Sequence, residues 1–529
     1  MDPQLYEPLK QIIPPFNPMI AKGVATYQIP LMQKYIDHVF RCASRSFPEG
    51  MQYLGCRRCT PEQEWAIVTA RRHNRHSYEL AQSDVFLVGY NFSYQGQPLQ
   101  ERFLYLPFVG QAGTLQLRGP LYTIMPVLAD ELISATKNGI FVPFTRDKLT
   151  FERLQYAFIA NGTAVKTYIT WSAVHSYAED SSAKACALST LAHYLFCKYG
   201  VQETFRKFAK TEVVIGGSEI NSKTYSDDEW FICTTLGATP RGVKGKAYTP
   251  NKCVVAVRKE EFTPLVVSLL AGFFYVADYF PDRVRPEVCS SERLWRILMG
   301  YVIFKDGQSE GKLAMDVDFH VESLDYYVDD LVRESLVKLG INAQDTYELF
   351  VYVIENISDI VMKSDLSSVM NKRLVVLRYV AQDIIKKIFL MNYKLNSNST
   401  RKLTAEDINK LTGQFLNREL IFNLTKGHGE CAGISSPGDS MVFKFTTSVV
   451  MQQNATGTRG RRNRDSLGDP ARLFHASILR YFSYLHLPKS DPTGRARLNL
   501  RAMTDADGTL IPDPRQDALL SEIEKLTQR

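Results

Sequence analysis

The sequence has no hydrophobic run long enough to cross a bilayer. The longest, thirteen residues from Leu265 to Ala277, ends at Asp278. That is short of the ~20 apolar residues a spanning helix needs, so it reads as a buried core helix, and no membrane is expected among the partners. The opening residues, MDPQLYEPLKQIIPP, lack the basic-then-apolar order of a secretory signal. Cysteine is sparse and irregular, nine in 529 residues. An odd count without regular spacing argues against a disulfide framework, so free thiols in a reducing compartment are expected. No GxxxxGK[ST] loop is present. Neither Thr239–Lys246, TPRGVKGK, nor Gly311-Lys312 has that spacing, and the first reads as a basic surface loop. No Ser/His/Asp, Cys/His or paired-carboxylate grouping stands at diagnostic spacing, so a self-contained active site is not expected.

Net charge is missing too, except in one place. From Ala455 to Arg501 ten Lys or Arg face three Asp, a balance of +7, which equals the formal charge of the whole chain. A basic segment on a neutral body is the footprint of a surface that faces phosphates. Its candidate nucleic-acid-binding residues are Arg459, Arg461, Arg462, Arg464, Lys489, Arg495 and Arg497. The other reading is a solvated, disordered tail. Against that reading stand Leu473, Phe474, Ile478, Leu479, Tyr481, Phe482, Tyr484 and Leu485 inside the stretch, because disordered arms lack apolar surface to bury.

The length allows several domains, and 45% hydrophobic with 22% charged residues places the chain among ordinary globular proteins. The pattern predicts an α+β multidomain fold. A helix is expected around Ile29–Phe40. Strand patterns follow in VFLVGYNFSY, ERFLYLPFVG and TLQLRGPLYTIMPV between Asp84 and Leu128, and again over Asp147–Ala160 and Ala164–Ser172. Asp180–Lys210 reads as helical and Lys223–Val257 as turn-rich. Leu324–Leu339 and Thr346–Lys363 have helical period, and Leu374–Tyr393 reads as one long helical run after Asn371-Lys372-Arg373. Thr404-Ala405-Glu406-Asp407 matches a helix-capping pattern for a helix reaching Leu416. Pro514–Arg529 reads as a short charged helix.

Two motifs invite a metal. Cys56-Arg-Arg-Cys59 would need two more ligands for structural zinc. Cys42 is the only nearby candidate, so plain thiols are the competing reading. On a strand, Asp316, Asp318 and His320 would share one face and offer a divalent-ion site; otherwise they are a polar face alternating with Val317 and Phe319. His73 and His76 lie in a polar run that reads as a solvated face.

Several segments, in order, resemble the N-terminal half of the second-largest (β) subunit of multisubunit DNA-dependent RNA polymerases, and especially the split β subunits of giant (jumbo) bacteriophages. Gly113–Gly119, GTLQLRG, resembles the family's GTFIING. Asn371-Lys372-Arg373 before an apolar run resembles GNKR. Gln452–Gly468, ending DSLG, resembles the stretch ending KRRxSALG. Pro488–Gly494, PKSDPTG, resembles PIETPEG, sharing three of seven residues, and Thr504–Pro512 resembles TNEYGFLETP. The chain departs from the family where its acidic residue after the second proline becomes Thr493, where the span from Gly468 to Pro488 is shorter, and between about residues 170 and 345, which match almost nothing.

The resemblance implies protrusion, lobe and fork regions. A protrusion-like first part would occupy 1–170, a lobe-like domain 171–345, a helical return to the protrusion 346–440, and a basic fork-like region with the tail 441–529. It implies a subunit of a DNA-directed RNA polymerase, active as a nucleotidyltransferase only when assembled, that lines the nucleic-acid channel. The catalytic Mg2+ would be held by a partner subunit, whose NADFDGD motif Asp316–His320 does not reproduce. Expected partners are a C-terminal β fragment, the β′ subunit or its fragments, a promoter-specificity subunit, template DNA and RNA product. The expected location is the cytoplasm of an infected bacterial host, with packaging in the virion as an alternative. The rival functions are a non-enzymatic nucleic-acid-binding or structural phage protein, and a stand-alone metal-dependent nuclease or nucleotidyltransferase built on Asp316, Asp318 and His320.

Overall fold

In a computed structural model the chain divides into two compact units. One comprises Met1–Glu131 with Leu366–Arg529; the other is Leu132–Asp365. The structure describes residues 22–70, 80–130, 133–135, 139–144, 148–172, 188–237, 251–304, 309–363, 369, 372–397, 403–426, 433–435, 448–451, 477–486, 494–499, 502–514, 518, 521, 522 and 525.

The discontinuous unit opens with a short helix, Val24–Gln28, and helix α1 (Met32–Ser44). Ile36, Val39 and Phe40 recur at helical spacing and are buried. Phe40 meets the rings of Tyr90 and Phe92 at 4.8 and 5.5 Å between centroids. Those rings stand on the predicted strand 85–94, which is β2 of an antiparallel sheet of β1 (Met51–Arg58), β2 (Val85–Tyr94), β3 (Gln97–Pro98) and β4 (Arg102–Pro107). Strands β5 (Thr114–Gln116), β6 (Leu121–Ile124) and β7 (Val127–Asp130) follow. Arg118 and Gly119 turn the chain between β5 and β6 with φ of 56° and 98°, a conformation that favours glycine at the second position.

The inserted unit is built on a seven-stranded sheet. Its strands are β8 (Ser134–Ala135), β9 (Gly139–Pro143), β10 (Lys148–Ala160), β11 (Thr163–Ser172), β12 (Val214–Gly216), β13 (Trp230–Thr235) and β14 (Val254–Arg258). The order is β12-β14-β13-β10-β9-β8, with β11 also paired to β10. Two of these strands, β13 and β14, lie where the sequence reads as turn-rich. Trp230–Thr235 and Val254–Arg258 are aromatic and β-branched runs that pair antiparallel with each other, and the turn residues between them hid that pattern. Helix α2 (Leu191–Tyr199) is capped by the Thr190 hydroxyl; with the helical segments Val201–Thr204 and Phe205–Ala209 it makes up the described helix of the stretch expected over 180–210. Helix α3 (Pro264–Tyr279) contains the thirteen-residue apolar run and buries Leu265, Val266, Leu269, Leu270, Phe273 and Phe274. Asp278, at its end, is buried and accepts hydrogen bonds from Tyr156 Oη (2.5 Å) and the Thr235 hydroxyl. Helices α4 (Glu292–Ile303), α5 (Glu310–Leu324), α6 (Asp330–Lys338) and α7 (Thr346–Lys363) complete the unit. The helix expected over Leu324–Leu339 starts later, because Asp329 caps α6 by accepting from Val332 N.

Inside this unit α2 crosses α3 closely. A Cβ on Gly272 would lie 2.5 Å from Ala192 Cβ. One residue on, His193 is fully buried and its Nε2 lies 2.9 Å from Trp295 O. Burial pulls its pKa down to about 4, so the ring is neutral and Nε2 is the protonated donor to that carbonyl.

The chain then returns to the first unit. The expected helical run over Leu374–Tyr393 is broken: β15 (Lys372–Val375) comes first, then a turn of helix at Leu377–Val380, then α8 (Gln382–Ser397). Leu374-Val375, followed by Val376, finds a strand partner far away in β7, which overrides the local helical pattern. Helix α9 (Ala405–Phe415) has the capping box read from sequence: Thr404 Oγ1 accepts from Asp407 N, and Asp407 accepts from Thr404 N. Strands β16 (Gly433–Ser435), β17 (Ser448–Met451), β18 (Gly494–Arg497), β19 (Met503–Thr504) and β20 (Leu510–Ile511) finish the unit. They form the sheets β16-β6-β5 and β15-β7-β17-β18 and the hairpin β19-β20.

Candidate nucleic-acid interface

The basic stretch is anchored at both ends on one sheet. Met451, just before it, pairs with Gly494 as β17 meets β18 antiparallel, and β17 also runs parallel to β7. Part of the stretch is core: Ile478, Tyr481 and Phe482 are buried, as their apolar character requires. Leu485 is not, at 76% exposed. Leu473 and Phe474 lie outside the described residues, as do Arg459, Arg461, Arg462, Arg464 and Lys489. Arg495 and Arg497 are described, both on β18.

The register fixes which way these two point. Leu374, Leu128, Val449 and Ala496 are buried in the unit's core. Leu374 pairs with Leu128 and Val449 with Ala496, so all four share the core face, because side chains alternate along strands. The neighbouring positions therefore share the opposite face. They are Arg373 and Val375 on β15, Ala129 and Val127 on β7, Ser448 on β17, and Arg495 and Arg497 on β18. Three arginines from distant parts of the chain thus stand on one side of one sheet. Val127 between them is buried, so that face is partly covered. Sequence reasoning missed Arg373. Its only signal was its place in the Asn371-Lys372-Arg373 segment, and the strand pairing that turns it toward Arg495 is long-range.

A buried glutamine holds β15 in place. Gln28, 8% exposed, donates from Nε2 to Leu374 O (2.9 Å) and Asp507 O (3.2 Å). Its Oε1 accepts from Val376 N (2.7 Å) and Leu377 N (3.2 Å). Leu374 N donates to Gly508 O at 2.7 Å. Gly508 has φ 90°, and a Cβ there would strike Leu374 O, so the turn between β19 and β20 can lie against β15 only with glycine at this position.

The metal readings fare differently. Residues 316–320 lie on α5, not on a strand. Successive side chains of a helix fan out by about 100°, so Asp316, Asp318 and His320 do not share a face. Asp318 instead pairs with Arg296 at 3.1 Å, His320 Nε2 lies 3.1 Å from Tyr194 Oη, and Val317 is core. This removes the basis for a nuclease or nucleotidyltransferase centre built on those three residues. Cys56 sits on β1 with Gln33 Nε2 3.7 Å from its sulfur, and Cys59 is buried just beyond the strand. Burial pushes both thiols up. Among the described residues no trio of ligand atoms gathers at either motif. Residues 73, 76 and 239–246 lie outside the described residues.

Among the described residues no helix is long and apolar enough to cross a membrane. Comparison with known proteins gives one family. Its description is non-virion RNA polymerase subunit, and its model matches residues 7–522. No curated protein matches the chain.

Proposed function

The chain belongs to the non-virion RNA polymerase subunit family, and from that premise we propose that it is the N-terminal part of a split β subunit. Membership makes it a subunit of a bacteriophage RNA polymerase and a protein of transcription, working beside other polymerase subunits in the infected host. The description non-virion gives packaging in the virion no support. The rest is our reading. The chain forms the protrusion, lobe and fork along one wall of the nucleic-acid channel, and the assembly is a DNA-directed nucleotidyltransferase. The family match over nearly the whole chain carries the assignment to an RNA polymerase; the order of the five β-like segments supports the β reading.

In this reading the metal chemistry belongs to a partner subunit, and this chain's residues do the positioning. Arg459, Arg461, Arg462, Arg464, Lys489, Arg495 and Arg497 contact backbone phosphates of template or product, which fixes register without reading sequence. A C-terminal β fragment, β′ fragments and a promoter-specificity subunit complete the assembly.

The test is isolation of the chain from infected cells, with mass spectrometry of its companions and a template-directed RNA synthesis assay. We expect companions of similar size, one bearing an aspartate-rich metal motif, and RNA made only by the complex. A chain that purifies alone, with no RNA synthesis in any fraction containing it, would refute the assignment and leave a basic binding protein.

A further inference from the structure

We propose that Arg373 joins Arg495 and Arg497 in a phosphate-binding surface, on the sheet itself, that holds a nucleic-acid backbone. The inference rests on the polymerase reading and adds to it a site and a residue, Arg373, that the basic stretch does not contain.

The first observation is geometric. The three side chains share one face of the β15-β7-β17-β18 sheet, on its two outermost strands, flanking the buried Val127. Three strand spacings separate β15 from β18, roughly 14 Å. That is wider than the phosphate chain of a single nucleotide. One strand of a duplex places a phosphate about every 3.4 Å along the axis, so a polynucleotide backbone crossing the sheet offers an anion to each arginine and a mononucleotide does not.

The second observation is chemical. The Nε atoms of Arg373 and Arg497 are both buried from solvent and have no hydrogen-bond partner. Two other arginines show how such a group is otherwise accommodated. Arg118, with a similar orphan Nε, lies over the Phe422 ring at 4.9 Å, and Arg333 pairs through Nη1 with Asp330 at 2.9 Å. Among the described residues neither Arg373 nor Arg497 has a carboxylate or an aromatic ring in that role. A guanidinium held partly under the surface with an unused Nε donor matches a phosphate, whose oxygens accept two parallel N–H bonds. An anion at that position would satisfy the orphan donors, and leaving them unmet carries a desolvation cost. No acidic side chain shares the described face; the positions between the arginines are Val, Ala and Ser.

The experiment uses the assembled polymerase carrying parent chain, the triple variant Arg373→Gln/Arg495→Gln/Arg497→Gln, or the matching Lys triple. Affinity for a template duplex is measured against salt concentration on two unrelated sequences. We expect the Gln triple to assemble normally and its log–log salt slope to be shallower by roughly 2 to 3, about 0.9 per lost contact, equally on both sequences. The Lys triple keeps the slope, since charge sets it, and loses affinity. A second readout needs no variant: template bound to the parent assembly should protect these arginines from phenylglyoxal. Unchanged slope and no protection, in a parent assembly that binds template and makes RNA, would overturn the sheet site and leave the polymerase reading intact. A parent assembly that neither binds template nor makes RNA would overturn both.

Discussion

Removing the Gln28 amide should open the sheet that carries Arg373. Four hydrogen bonds converge on this one side chain, two to carbonyls and two from backbone N–H groups. The outward groups of β15, Leu374 O and Val376 N, gain their described partners there. In Gln28→Ala both are left buried and unmet. Each unmet group costs about 1–3 kcal/mol, so the loss is roughly 2–6 kcal/mol before any water enters. Hydrogen exchange of peptides covering 372–380 reads this directly. A factor of ten is about 1.4 kcal/mol, so protection should fall by between about 30-fold and about 20,000-fold. Gln28→Glu sharpens the test. A carboxylate can accept from Val376 and Leu377 but has nothing to donate to Leu374 O and Asp507 O. A protonated acid can do both. Its folded pKa should therefore lie above the unfolded value of about 4.3. The folded state then binds the extra proton, so the variant is most stable below that value and weakens as pH rises through the folded pKa. Protection in Gln28→Ala within threefold of the parent, with Gln28→Glu insensitive to pH, would refute the clamp.

Two further outcomes concern the inserted unit. His193 has a folded pKa of about 4 against an unfolded value of about 6.5. The unfolded state therefore binds a proton first, and stability should drop by about 2 kcal/mol between pH 7 and pH 5. Urea unfolding followed by tryptophan fluorescence should show that drop in the parent and not in His193→Gln; equal slopes in the two would count against the buried neutral ring. In Gly272→Ala, helix propensity gains about 1 kcal/mol but the new methyl meets Ala192 at the α2–α3 crossing, with overpacking of about 1–3 kcal/mol. Net destabilisation is expected, with relief on adding Ala192→Gly; strictly additive thermal shifts would show that the two positions do not touch.

Elements set by local chemistry were legible. The Thr404–Asp407 capping box, the apolar run within α3 and the 85–94 strand follow from residues adjacent in sequence. The errors have two causes, a window too short to show the period and a partner too far away to see. Asp316 to His320 alternates polar and apolar over five residues, which imitates a strand. The wider set Leu313, Val317, Val321 and Leu324 repeats with helical spacing and decides the matter. Leu374–Val376 read as helix because its partner, Leu128, lies far back in the chain. The same blindness hid Arg373. Its chemistry was visible, but its facing depends on register with β7, and β7's position depends on β17. The segment 459–464, whose composition drew attention first, lies outside the described residues.

Lys372 is the register partner of Asp130. The whole of Leu132–Asp365 is therefore spliced between two residues that sit side by side. During synthesis β7 leaves the ribosome long before β15 exists, and the inserted unit is finished while the first unit still lacks a strand. Closing that gap demands a contact of very high sequence separation, which is slow when the intervening chain is loose. Early folding of the inserted unit would replace a loose intervening chain of more than two hundred residues by a compact body, which lowers the entropy that closing β7 onto β15 must overcome.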